Sequence, residues 1–224
     1  MIAMPRRRLL IGAVAAAALA VLAVWVVAFS PVLGARTVRV QGASGAAAEQ
    51  VRQAARIADG TPLVRLDRAA VTRRVERLPG VAHASVRTSF PSTVIIVVQE
   101  RTPVGYVQES GSYRLVDDSG VEYRSVPVRP VHLPRLVVPT GPAAAATVAA
   151  VASVAAALPG NLLAQVSSIQ ALDPDAITVL LSDRRVIRWG SAQRTADKAR
   201  ILPTLLHTAA TQIDVSDPDL PFTR

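Results

Sequence analysis

Residues 81–98 read VAHASVRTSFPSTVIIVV, and this stretch decides the fold of the first half of the chain. Residues 81–87 alternate small or apolar side chains with polar ones, which is typical of a strand with one buried face. The Phe90-Pro91 pair predicts a turn. Residues 93–98 are apolar on both faces, as expected of a well-covered strand. The stretch therefore predicts two strands that are neighbours along the chain and joined by a short turn.

The preceding residues complete a small α+β module. Residues 37–41 (TVRVQ) alternate like a strand. Residues 44–58 carry one apolar stripe at helical spacing, and Ser44 can cap that helix. Asp67 is a second candidate N-cap, because apolar residues recur after it at i, i+4 and i+7. The order is β-α-α-β-β, in which two helices can cover one face of a three-stranded sheet. We place this domain at residues 37–101.

The remaining residues, 102–224, predict a second domain, a mixed β-sheet with flanking helices. Residues 113–116 and 121–123 form a predicted strand pair around Asp117-Asp118-Ser119-Gly120. Adjacent aspartates suggest a catalytic pair at first sight, but turn chemistry accounts for both. Residues 176–181 and 185–189 predict a second strand pair. Residues 143–158 are apolar but too short to span a membrane, so we expect a helix packed on the sheet.

The C-terminal residues predict a helix and an edge strand. Ser191 can cap the helix, with Ala199 on the face toward the sheet and with Arg194 and Lys198 pointing outward. Residues 212–216 alternate like a strand at the edge of a sheet, where unpaired N–H and C=O groups can bind another chain. The aspartates and prolines of residues 217–221 are expected to block further pairing. A plain closing strand of the domain is the alternative.

The N-terminal residues predict a membrane anchor. Every residue from Leu9 to Phe29 is apolar or Gly, and a helix of that length spans about 31 Å, the thickness of the hydrocarbon layer. Arginines 6–8 precede the run, so residues 1–8 are expected to be a cytoplasmic tail, with residues 30–36 as a linker and the bulk of the chain outside the cytoplasm. A cleaved signal peptide is the alternative, although its apolar core is normally shorter.

The composition excludes several kinds of site. The chain has 224 residues and no cysteine, so disulfides, thiolate zinc sites and cysteine nucleophiles are absent. His83, His132 and His207 fit no metal-ligand spacing, and no phosphate-binding loop or nucleophile-elbow motif occurs. We therefore expect no enzyme activity, no cofactor, no metal and no small-molecule substrate.

The net positive charge of the chain raises the question whether it binds nucleic acid. The chain has 25 Lys+Arg against 16 Asp+Glu, and five arginines lie on or beside the second predicted helix: Arg65, Arg68, Arg73, Arg74 and Arg77. Nucleic-acid surfaces of this kind also need aromatic side chains that stack on bases, and these are scarce here. We expect a solvated face that contacts anionic lipid or the acidic groups of a protein partner.

Several stretches resemble the FtsQ/DivIB family of bacterial cell-division proteins, with actinobacterial members as the nearest likeness. In the first domain they are VRVQG, GTPLVRLD, VERLPGVAHASV and FPSTVIIVVQERTPVGYV. In the second they are YRLVDDSGVEY, ITVLLSDRRVIRWGS and IDVSDPDLPFTR, in the order that the family has. The resemblance implies a single-pass membrane protein with a POTRA domain followed by the FtsQ-type β domain.

The resemblance also implies a function. Proteins of this family are scaffolds at the division septum that bind FtsB and FtsL, with FtsK, FtsW and FtsI as further candidate partners. Carried onto this chain, it points to partner-binding residues that we expect at outer-face or edge positions: Trp189, Arg194, Lys198, Gln212, Ile213, Asp214, Val215 and Ser216. Two alternatives remain, a POTRA-bearing secretion or chaperone component and an anchored cell-wall enzyme.

Overall fold

A computed structural model describes residues 15–19, 34–109, 111–139, 141 and 144–224. The chain forms two compact units, one ending at Glu100 and the other beginning at Arg101. Residues 15–19 are helical, and the rest of the expected span from Leu9 to Phe29 lies outside the described residues, as do the expected tail and most of the linker. Among the described helices, none combines the length and the apolar character needed to cross a membrane.

The first unit confirms the predicted order β-α-α-β-β. Its elements are β1 (Thr37–Gln41), α1 (Gly45–Ala55), α2 (Arg68–Glu76), β2 (Val81–Ser89) and β3 (Thr93–Glu100), with a 3₁₀ helix at Leu63–Arg65. Strand β3 is the centre of the sheet, parallel to β1 and antiparallel to β2. Residues 81–98 therefore supply most of the middle strand, β3, and all of its neighbour β2.

The core of the first unit lies between the sheet and its two helices. Val94, Ile96 and Val98 of β3 are buried in one cluster with apolar residues of α1 and α2. Ile95 and Val97 point to the other face and are only partly buried. The expectation that β3 is covered on both faces is therefore met on one face only.

The ends of the two helices differ in how they are held. Asp67 accepts a hydrogen bond from the Ala70 N–H at 2.9 Å, which confirms its predicted role as N-cap of α2. Ser44 occupies the N-cap position of α1 without a side-chain hydrogen bond. Arg74 is partly buried and donates two hydrogen bonds to the Ala55 carbonyl oxygen, at 3.1 and 2.7 Å. The expectation that all five arginines lie on a solvated face is wrong for Arg74.

The second unit is built on one nine-stranded mixed sheet. Its strands are β4 (Pro103–Glu109), β5 (Ser112–Asp117), β6 (Glu122–Val126), β7 (Arg135–Val137), β8 (Val166–Ala171), β9 (Ile177–Leu181), β10 (Val186–Gly190), β11 (Gln212–Asp214) and β12 (Phe222–Thr223). Its helices are α3 (Ala144–Ala157), α4 (Gly160–Leu163) and α5 (Thr195–Leu206). The order across the sheet is β12-β11-β10-β9-β8-β7-β4-β5-β6, so β12 and β6 are the two edges.

Helix α3 lies on this sheet, as predicted. It contacts β4, β7, β8 and α5, and Val151 and Ala155 are fully buried in the shared core. The two predicted strand pairs are also confirmed, because β5 pairs with β6 and β9 pairs with β10 in antiparallel register.

Asp117, the last residue of β5, stabilises the turn that leads to β6. One carboxylate oxygen of Asp117 accepts hydrogen bonds from the Ser119 N–H at 3.1 Å, the Ser119 hydroxyl at 2.7 Å and the Val121 N–H at 2.8 Å. The other oxygen forms an ion pair with Arg101. These bonds confirm turn chemistry as the role of Asp117.

Candidate partner-binding site

The C-terminal end of the sheet contains the residues that the sequence assigned to partner binding. Strand β11 runs parallel to β10, with Ile187 opposite Ile213, and antiparallel to β12, with Ile213 opposite Thr223. Further hydrogen bonds extend both pairings, from the Val215 N–H to the Arg188 carbonyl at 3.0 Å and from the Arg224 N–H to the Gln212 carbonyl at 2.9 Å. The prediction that residues 212–216 form the edge is therefore wrong, because β11 lies inside the sheet and β12 is the edge.

The chain reverses direction between these two strands. The Leu220 N–H donates to the Asp217 carbonyl at 3.3 Å, and the Asp219 N–H donates to the Asp217 carboxylate at 3.0 Å. After Pro221 the chain pairs again, so the residues that were expected to block pairing form the turn that leads to β12.

Residues 212–216 present two different faces. Ile213 and Val215 are fully buried in the core of the second unit, together with Trp189 of β10. Gln212 and Ser216 are exposed and Asp214 is half-buried on the opposite face. The Asp214 carboxylate accepts hydrogen bonds from the N–H and hydroxyl of Ser216, at 2.9 and 2.6 Å. A partner can therefore reach Gln212, Asp214 and Ser216, but not Ile213 or Val215, without unfolding the edge.

Trp189 and Lys198 do not lie on the outer face, and that expectation is wrong for both. The Trp189 indole N–H donates to the Thr195 hydroxyl at 3.2 Å. The Lys198 ammonium donates to the carbonyl oxygens of Trp189 at 3.0 Å and Ser191 at 2.9 Å. Burial lowers the pKa of Lys198, and the positive charge of Arg194 lowers it further. Together these bonds attach α5 to the end of β10.

Arg194 is exposed, as expected, and connects two parts of the site. It precedes α5 in the left-handed conformation with φ of 52°, so it, and not Ser191, occupies the N-cap position. Its guanidinium donates to both carboxylate oxygens of Asp219, at 2.6 and 2.9 Å, and to Asp197 at 3.2 Å. The hydrogen bond from Arg194 lowers the pKa of Asp219, and the same bond raises the pKa of Arg194. Arg194 thus joins the start of α5 to the turn before β12.

Glycine is required where β10 ends beside this turn. Gly190 has φ of 73°, and a Cβ atom there would lie 2.9 Å from the Cβ of Ser216. Any larger residue would be strained and would crowd the chain after β11.

A groove of about 340 Å³ runs over the solvent face of these last strands. Its lining includes Thr178, Arg188, Gln212, Asp214, Phe222 and Arg224. Arg188 and Asp214 stand 3.9 Å apart across it, at the outer limit of an ion pair. The groove therefore offers one apolar ring and several polar groups along a shallow surface, which suits a peptide segment.

Two exposed apolar side chains near the edge were missed by the sequence analysis. Leu220 is 80% exposed and Phe222 is 62% exposed. A strand of two residues, such as β12, is too short to show a periodicity. The sequence signal that was available is Phe222 itself, an aromatic residue in a polar, proline-containing C-terminal segment. These side chains add an apolar contact surface at the edge itself.

In the ranges that the structure describes, no group of three His, Cys, Asp or Glu side chains could hold a metal ion. Arg194, Lys198 and Asp214 each form hydrogen bonds with other side chains or with backbone groups, and these bonds hold the loops and the start of α5 in place.

Both units match known protein families. Residues 33–101 match the FtsQ-type POTRA domain, and residues 105–218 match the C-terminal domain of the cell division protein FtsQ/DivIB. Neither description names an enzyme. The resemblance found in the sequence is thereby confirmed, whereas the matches give no support to a secretion or chaperone component.

Relatives from actinobacteria give the same result. The cell division protein FtsQ of Mycolicibacterium smegmatis is 41% identical over 194 residues, a region that covers 86% of this chain and 58% of that protein. The chain thus spans less than two thirds of the length of this relative. FtsQ of Streptomyces bingchenggensis is 34% identical over 229 residues, covering 97% of this chain and 86% of the relative.

One solved structure is also similar, the major extracytoplasmic domain of the cell division protein DivIB from Geobacillus stearothermophilus. It is 21% identical, covers 48% of this chain and 92% of that chain, and superposes with a TM-score of 0.38.

Proposed function

This chain belongs to the FtsQ/DivIB family of bacterial cell-division proteins, and from that membership we propose that it is a non-catalytic scaffold of the division machinery. Its task is to hold other division proteins at the septum, and it transforms no substrate. The observation that carries the proposal is that matches to division proteins cover both units, from residue 33 to residue 218.

The proposed scaffold is anchored in the membrane. The apolar run from Leu9 to Phe29 serves as the single span, with residues 1–8 in the cytoplasm and both units outside it. Such an anchor confines the chain and its partners to one membrane. Confinement raises their effective concentration, so modest pairwise affinities suffice to assemble them.

The proposed partners are FtsB and FtsL, which bind at the C-terminal end of the second unit. A strand of the partner pairs with β12, the edge strand, in place of the buried β11. Arg224 directs both its N–H and its C=O toward β11, so by antiparallel alternation the corresponding groups of Thr223 point outward. Leu220 and Phe222 add apolar contacts, and Gln212, Asp214 and Ser216 supply polar groups in the adjoining groove. FtsK, FtsW and FtsI are further proposed partners, at surfaces not assigned here.

Substitution of Phe222 tests this edge. Phe222→Asp replaces an exposed ring, which makes no core contact, with a carboxylate. The fold should therefore be retained, while the apolar contact with the partner is lost. Loss of a central aromatic contact should weaken capture of a purified FtsB–FtsL complex by about tenfold or more. The measurement is binding of the full chain in detergent micelles. Val215 is unsuitable for substitution, because it is fully buried.

The matched control is Leu172→Asp, another exposed apolar side chain of the second unit, which lies between β8 and β9. It should bind the complex as the unmodified chain does. Equal affinity of the Phe222→Asp variant and the control would reject the β12 edge as the binding site.

Localisation tests the scaffold role itself. A fluorescent fusion of the full chain should form bands at midcell in dividing cells. A uniform signal around the envelope would contradict the septal role and would favour the secretion or chaperone alternative.

A further inference from the structure

The position at which the chain enters the first unit is fixed by two loops. The Ala35 N–H donates to the Thr61 carbonyl at 2.8 Å, and the Arg36 N–H donates to the Ser92 carbonyl at 2.9 Å. Gly34 is packed so closely that a Cβ atom there would lie 2.6 Å from the Gly60 carbonyl oxygen. The loop before the 3₁₀ helix and the loop between β2 and β3 therefore both meet the chain where it leaves the N-terminal apolar run.

Two exposed apolar side chains lie beside these contacts, one in the 3₁₀ helix that follows the first loop and one in the second loop. Val64 is 55% exposed and follows Thr61 by three residues, and Phe90 is 59% exposed and precedes Ser92 by two. Among described residues 34–100, they are the large hydrophobic side chains classed as exposed. Exposed apolar groups gathered at one end of a domain indicate a contact surface.

Three exposed arginines lie at the same end of the unit as these two side chains. Arg36, Arg56 and Arg68 are exposed and lie at the start of β1, the end of α1 and the start of α2, all at the same end of the unit. None of the three forms an ion pair in the part of the chain that the structure describes. The acidic residues at this end are Asp59 and Asp67, and Asp67 is engaged as the N-cap of α2.

The first unit as a whole also carries a net positive charge. Residues 34–100 contain ten arginines and five acidic residues, whereas residues 101–224 contain twelve basic and eleven acidic ones. A surface that carries exposed apolar side chains and arginines at the same end of a domain is complementary to an anionic membrane, because the apolar groups enter the interface and the guanidinium groups bind phosphates.

The length of the connecting chain brings this surface close to a membrane. Four residues separate Phe29 from Gly34. The chain between them can extend by at most about 18 Å, and the headgroup layer itself accounts for about 5–8 Å of that. The end of the unit at which the chain enters therefore cannot lie far from the lipid phosphates.

We propose that the surface formed by Arg36, Arg56, Val64, Arg68 and Phe90, termed the proximal surface, docks on anionic phospholipid headgroups of the membrane that anchors the chain. This inference rests on the proposed membrane anchor. Docking of the proximal surface restricts the orientation of the first unit above the membrane, beyond what a flexible linker would do.

The absence of cysteine from the chain allows a direct test. Val64→Cys and Phe90→Cys each introduce a single site for a fluorescent label on the proximal surface. Arg77→Cys is the matched control, because residue 77 is also exposed but follows the other end of α2, about 14 Å along the helix. Each full chain is reconstituted into nanodiscs of phosphatidylcholine alone or mixed with phosphatidylglycerol, with a lipid that carries a quencher near its headgroup.

Labels at positions 64 and 90 should be quenched about twofold or more beyond the label at position 77, and more strongly with phosphatidylglycerol. Arg36→Glu combined with Arg68→Glu should remove roughly half or more of that excess quenching, and high salt should act in the same direction. With the control pair Arg73→Glu and Arg77→Glu, toward the other end of the same helix, the quenching of the labels at positions 64 and 90 should itself be unchanged, because residue 77 then carries no label.

Two results would overturn the inference, and they are distinguishable. If the chain inserts into nanodiscs but all three labels are quenched equally, docking is rejected while the anchor stands, and the proximal surface is left for a protein partner. If the chain fails to copurify with nanodiscs, the anchor is rejected and docking with it. Capture of FtsB and FtsL is measured separately and depends on neither result.

Discussion

Asp117 holds its carboxylate in a buried position at the start of the turn between β5 and β6. Burial by itself would raise the pKa of Asp117, but hydrogen bonds from Ser119 and Val121 and the ion pair with Arg101 lower it below the ordinary 3.8. A carboxyl group whose pKa is lower in the folded than in the unfolded chain stabilises the fold above the unfolded value. That stabilisation is lost as the pH falls through the folded value.

Asp117→Asn should therefore lower the free energy of unfolding of the second unit near neutral pH, by about 3 kcal/mol, since Arg101 loses its partner. The difference from the unmodified chain should shrink as the pH falls below 3.8. Denaturant titrations followed by the fluorescence of buried Trp189, in a Trp25→Phe background, measure both effects. Asp118→Asn is the control, since Asp118 is exposed and adjacent. A difference that persists below the pKa of Asp117 would contradict the role of its charge.

Lys198 shows where sequence reasoning about single residues fails. Thr195, Lys198 and Leu202 are buried in the structure and recur at i, i+3 and i+7, a helical spacing that is compatible with Lys198 on the inner face. The residue type argued the other way, because lysine is rarely buried without a partner. Its partners are two carbonyl oxygens at the end of β10, and no sequence pattern encodes which backbone groups a distant side chain meets.

At the scale of elements, β12 determines which backbone groups are exposed at the C-terminal edge of the sheet. A chain that ends after Leu220 would lack β12 and the hydrogen bonds between Arg224 and Gln212, leaving β11 as the edge. If partners pair with β12, this truncation should abolish capture of the FtsB–FtsL complex. The free energy of unfolding of the second unit should decrease only modestly, since β12 contributes two residues of pairing. Capture that survives or strengthens would instead show that the partner replaces β12 and pairs with β11.

The elements that the sequence predicted are those with a clear periodicity, and length alone did not decide the outcome, since strands β4 and β8 have seven and six residues and were not predicted. Strand β3, helix α3 and both hairpins carry periodicities that extend over several residues, and all of them occur where the sequence placed them. Strand β12 has two residues, too few for any period, and it exists because the chain reverses at residues 217–221. The prolines and aspartates of residues 217–221 were expected to stop pairing, whereas turns use the same residues. The C-terminal end of the sheet was therefore located from the sequence, but its edge was placed one strand too early.

At the scale of the whole molecule, the proposed topology determines which residues meet which compartment. With the anchor at residues 9–29, Met4→Cys should lie in the cytoplasm and Leu172→Cys outside it. A membrane-impermeant thiol reagent applied to spheroplasts should label only the Leu172→Cys variant, and both variants after permeabilisation. Labelling of Met4→Cys before permeabilisation, or a mature chain that lacks residue 4, would contradict a retained anchor with its start in the cytoplasm.

The shortness of β12 also affects whether two copies of this chain can pair with each other through their edge strands. Two identical chains aligned side by side through β12 could exchange only a couple of backbone hydrogen bonds, too few to offset the entropy lost when two molecules become one. A foreign segment that brings side chains for the neighbouring groove gains more than those few bonds. If a partner binds at β12 as proposed, the same strand is too short for its backbone pairing alone to hold two copies of this chain together.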